Sequence, residues 1–152
     1  MAKAPPYEGL TAEMPLRDAA RRILRILLEE AFRYAPAVLR GEDTRAVHDM
    51  RVAIRRVRSA LTTFDDALGG RRARQLQVAM RRIGRRLGRV RDADVHLVAL
   101  RGALAGASEI ERAGVTHAID DLVVRRRAAL AEFAIELSQF DRERYARAFT
   151  DG

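Results

Sequence analysis

Cysteine is missing from the 152 residues, which excludes a disulfide framework, a thiol nucleophile and any zinc site built on thiolates. A reducing cytoplasm suits such a chain. Tryptophan is missing too, and between Phe64 and Phe133 there is no aromatic residue at all. Readers of single-stranded nucleic acid stack bases on aromatic rings, so this gap argues against specialised single-strand recognition. No run reaches the roughly 18 apolar residues that a membrane span needs, and the opening MAKAPPYEGLTAEM lacks the apolar stretch of a signal peptide. The expectation is a soluble cytoplasmic protein. His48, His96 and His117 fall on different predicted helices or faces, so no histidine pair has metal-ligand spacing, and neither a metal nor a cofactor is expected.

Lysine is reduced to Lys3 alone, and arginine supplies the rest of the 29 basic residues, which outnumber 21 acidic ones for a net charge of +8. A GC-rich genome favours arginine over lysine, but codon usage does not place arginines along a chain. Residues 44–91 hold 14 arginines against only Asp49, Asp65 and Asp66, so the remainder of the chain is net acidic. An excess this concentrated calls for an anionic partner. Arginine presents a planar, permanently charged fork that matches phosphate oxygens two at a time.

Strand-like alternation is absent, and apolar residues recur three or four apart in a background of Ala, Leu, Arg and Glu. The pattern predicts an all-α protein with four long helices. The first starts between Thr11 and Pro15 and runs to Leu39. The second runs from Thr44, as N-cap, to Leu68, with Val47, Met50, Ile54, Val57, Leu61, Phe64 and Leu68 on one face. The third extends from Arg71 to Leu104, with Gly84, Gly88 and Gly102 lowering its helix preference and marking a kink or a close helix contact. The fourth spans Glu109–Leu137 and presents Ile110, Ile119, Leu122, Val123, Leu130, Phe133, Ile135 and Leu137, and residues 141–149 start a fifth, short helix. Short connections favour antiparallel neighbours, hence an antiparallel up-down four-helix bundle. Residues 1–10 are read as a flexible N-terminus, 11–138 as the four-helix lobe and 139–152 as a short C-terminal helix or tail.

At about 100° per residue, His48, Arg51, Arg55 and Arg58 fall within an arc of about 80° beside the core stripe. On the third helix Arg82, Arg85, Arg86 and Arg89 do the same, and no acidic residue lies between Arg71 and Arg91. Like charges at these spacings repel by about 0.2–0.5 kcal/mol per pair, so a helix kept only for stability would mix signs. Solvated arginines snorkelling over the core explain any single position, but explain two such ridges less well. Facing ridges would form an elongated groove for a linear polyanion. A phosphate bound there would favour the imidazolium form of His48 and couple affinity to pH.

The segment VHDMRVAIRRVRSALTTF, Val47 to Phe64, followed by LGRVRDADV, Leu87 to Val95, resembles the CHAD family, the conserved-histidine α-helical domain. The resemblance implies a helical-bundle module that binds inorganic polyphosphate without catalysing a reaction, at polyphosphate granules or beside triphosphate-tunnel enzymes. By position, His48, Arg51, Arg55, Arg56 and Arg58 match the family's histidine and basic residues, and Arg82, Arg85, Arg86, Arg89 and Arg91 match its third-helix basic segment. Typical members are similar to two pseudo-symmetric lobes, of which this chain covers the first. His117 with Arg125, Arg126 and Arg127 does not reproduce the second, because the spacing differs and Asp120 and Asp121 intervene. Two copies associating as a homodimer would restore a two-lobe groove.

Three other readings stand beside this one. A basic bundle binds any nucleic-acid backbone to some degree. A scaffold for acidic or phosphorylated protein partners fits the same charge. His48-Asp49 is superficially similar to the HD phosphohydrolases, but a two-residue match without further ligands carries little weight, and Asp92 and Asp94 are expected to cap or to pair with Arg89 and Arg91.

Overall fold

Pro15, a residue that suits a helix start, precedes the first of seven helical segments in the computed structural model, which describes residues 5–149. The flexible-terminus and tail expectations for residues 1–4 and 150–152 lie outside that range. The segments are α1 (Leu16–Arg33), α2 (Ala35–Arg40), α3 (Thr44–Thr63), α4 (Asp65–Leu68), α5 (Arg71–Gly106), α6 (Glu109–Ser138) and α7 (Arg142–Ala148). The described residues contain no strand.

The first expected helix is therefore broken at Tyr34. Pro36 lacks an N–H and disfavours helical geometry just before it, so the chain restarts as α2. Gly41 ends α2 in the left-handed region at φ 75°. The N-cap of α3 is Asp43 and not Thr44: its carboxylate accepts from the N–H of Arg45 at 2.8 Å and of Ala46 at 3.1 Å. The second expected helix likewise breaks, at Phe64, into α3 and α4. Ser108 and Glu111 form a capping box at the start of α6, and the Ser108 hydroxyl and backbone N–H hold the Glu111 carboxyl below its usual range.

α1 packs on α3, α3 on α5 and α5 on α6. Cross-contacts fix two directions. Ile54 meets Gly84 and Arg51 meets Gly88, while Arg82 pairs with Glu136 and Asp94 with Arg126; each pairing descends on one helix as it ascends on the other, so α3, α5 and α6 alternate in direction. Leu24, Val47, Met50, Ile54, Leu76, Met80, Ile83 and Leu87 are fully buried between them. Each large aliphatic chain so buried contributes about 1.5–3 kcal/mol.

α6 differs from its sequence-based reading. Of the apolar residues it presents only Phe133 is buried, whereas Ile110 is 91% and Ile135 60% exposed. Beyond Leu97 on α5 and before Phe133 on α6, no described residue is buried.

Candidate anion-binding groove

His48, Arg51, Arg55 and Arg58 follow one another on α3 at helical spacing and project along its length, next to the buried Met50, Ile54 and Val57. α5 runs alongside. Two glycines of α5 face α3. A Cβ on Gly84 would sit 3.4 Å from Cγ2 of Ile54, and one on Gly88 would sit 2.8 Å from Nη1 of Arg51. Gly88 therefore leaves the space that the Arg51 guanidinium occupies.

Between the two helices lies a cavity of about 490 Å³ lined by His48, Arg51, Arg55 and Arg58 from α3 and by Arg85, Arg89 and Asp92 from α5. Arg55 and Arg58 also line an adjoining cavity of about 450 Å³, together with Ser59, Thr62, Thr63, Gln77 and Arg81. The Gln77 amide donates to the Thr62 hydroxyl at 3.3 Å across it. The two cavities form one strip about 20 Å long, reckoned from the helical rise between His48 and Thr63. Among the described residues Arg51, Arg55, Arg58 and Arg85 have no carboxylate within ion-pair distance, whereas Arg89 reaches Glu132 of α6 at 2.9 Å while still lining the cavity. Unpaired guanidiniums of one sign facing a cavity attract anions and offer forked donors to oxygen ligands.

Six of the ten residues singled out from the sequence thus converge here, and four do not. Arg56 turns to α1, where it donates to the buried Glu30 at 2.9 Å. Arg82 pairs with Glu136 at 3.0 Å and Arg86 with Glu132, both on α6. Arg91 lines neither cavity. Asp94 does not pair with Arg89 or Arg91. Its side chain, 1% exposed, pairs with Nε of Arg126, whose Nη1 also donates to the Gly41 carbonyl at 3.0 Å. Both expected partners lie on α5 itself, whereas Asp94 points inward toward α6. Sequence reasoning missed Arg81, whose position one turn before Arg85 was a usable signal, and the Ser59, Thr62 and Thr63 hydroxyls, for which there was none.

No curated protein and no solved structure matches the chain. The model of the CHAD domain family matches residues 6–151, nearly its whole length. The histidine-and-arginine helix, the basic α5 segment and that match together place the chain in the CHAD domain family.

Proposed function

We propose that this chain binds inorganic polyphosphate in the groove between α3 and α5 and catalyses no reaction on it. The observation that carries this reading is the convergence of His48, Arg51, Arg55, Arg58, Arg85 and Arg89 on one elongated cavity. A strip about 20 Å long that carries the unpaired guanidiniums of Arg51, Arg55, Arg58 and Arg85 fits a linear chain of phosphoryl groups better than one small anion. Membership of the CHAD family supports polyphosphate as the polymer. Polyphosphate has no bases, so the scarcity of aromatic residues between Phe64 and Phe133 costs the binding nothing. In this reading α1, α3, α5 and α6 are the long helices of an antiparallel up-down lobe. The protein acts in the cytoplasm, at polyphosphate granules. Two copies associate through the exposed end of α5 and α6, where Val98 is 68% and Val124 63% exposed.

The test is a binding comparison of long-chain polyphosphate with single- and double-stranded DNA and RNA, matched in phosphate and held at one near-physiological salt concentration. A clear preference for polyphosphate with no release of phosphate is expected. Equal affinity for every polymer, or metal-dependent phosphate release, would contradict the proposal.

A further inference from the structure

A cavity larger than either of the two that form the groove lies elsewhere. It measures about 590 Å³, is bounded by the start of α5 from Arg71 to Ile83, the end of α6 and the start of α7, and shares no lining residue with the groove. Its volume falls within the roughly 300–1,000 Å³ typical of small-molecule sites. Its acidic groups are already engaged: Glu136 pairs with Arg82, and Asp141 accepts from the Arg144 backbone N–H at 2.8 Å. Arg71, Arg74 and Arg144 have no such partner among the described residues and leave the rim cationic.

One wall is apolar and aromatic. Val78 stands 56% exposed on it. Phe140 and Tyr145 form the rest, fixed by a stack in which Phe140 lies 4.8 Å from Phe32 and 5.1 Å from Tyr145. The Arg144 guanidinium lies 5.9 Å from the Tyr145 ring centroid, which brings a cation to the aromatic wall. Gln75 and Gln139 add amides able both to donate and to accept.

From this combination we propose a second site that takes a nucleoside phosphate. The phosphates meet Arg71, Arg74 and Arg144, the base lies against Val78, Phe140 and Tyr145, and the glutamine amides reach its polar edge. A bare phosphate polymer would leave the apolar wall unused, and an uncharged ring would leave the arginines unused. The site stands independently of the polyphosphate groove.

Titration calorimetry on the whole chain with ADP, adenosine and pyrophosphate tests it. ADP should bind at a single saturable site, with adenosine and pyrophosphate each weaker by about tenfold or more. Arg74→Ala and Arg144→Ala should each weaken ADP by about tenfold, and both residues are exposed, so folding is not at stake. Val78→Glu, which places a carboxylate in the cavity from an exposed position, should abolish ADP binding and leave polyphosphate binding unchanged. Arg55→Ala/Arg85→Ala should leave ADP binding intact. The proposal is overturned if ADP does not saturate, if pyrophosphate matches ADP, or if the Arg55→Ala/Arg85→Ala chain loses ADP.

Discussion

Gly88 shows how one residue serves the groove without touching a ligand. A methyl group there would meet the far end of Arg51, a flexible side chain that can swing aside, and no backbone or core atom lies in its way. Gly88→Ala should therefore leave the fold intact and stabilise α5 by up to about 1 kcal/mol through helix preference alone. Its cost falls on Arg51, which is pushed off its position, and polyphosphate affinity should drop by about threefold. Denaturant unfolding and binding, measured on the same variant, check the two halves; affinity that does not fall would mean that the position of Arg51 is immaterial. The same scale explains why four of the ten expected site residues lie elsewhere. A helical wheel gives the angle at which Arg56, Arg82 and Arg86 leave their helices, but not the carboxylates waiting there. Glu30, Glu132 and Glu136 lie far from them in sequence and reach them only after packing.

Among the elements, α3 and α5 were the most legible, because strong apolar periodicity coincides with clear stops: Gly41 before α3, and Gly69 and Gly70 before α5. The breaks at Tyr34 and Phe64 were missed, the first although Pro36 signals it. α6 was legible as a helix from Ser108 and Glu111, yet not in its burial, since apolar residues lie all round it and the pattern names no inward face. A buried ion pair holds it. Asp94 sits at the core edge with only Arg126 to neutralise it, and Arg126 also ties α6 to the Gly41 turn. Arg126→Ala should cost about 3 kcal/mol in urea unfolding, because a buried carboxylate is left unpaired. Asp94→Leu/Arg126→Met should recover much of that loss. A neutral Arg126→Ala would show that water reaches Asp94 freely.

At the scale of the whole molecule, exposed apolar residues also lie outside the groove. The basic strip lies between α3 and α5, while Val98, Ile110 and Val124 stand exposed where α5 and α6 run past the core. Association of two copies through that far end should appear as a doubled mass in sedimentation at high protein concentration with polyphosphate present. A strictly monomeric mass under those conditions would remove the dimer while leaving the groove untouched. The all-α class and the family were readable from the sequence, since both rest on periodicity and on contiguous segments. The cavity beside α7 was not, because Arg74, Val78, Phe140 and Tyr145 come together only through tertiary packing.

The central claim is that position, and not net charge, makes the groove. The most direct measurement compares polyphosphate affinity at fixed salt for two variants that each remove two positive charges, Arg55→Ala/Arg85→Ala and Arg82→Ala/Arg86→Ala. The account predicts a loss of about tenfold or more for the first pair, which lines the cavity, and little change for the second, which faces α6. Equal losses from both pairs would contradict it and make binding a property of the basic surface as a whole.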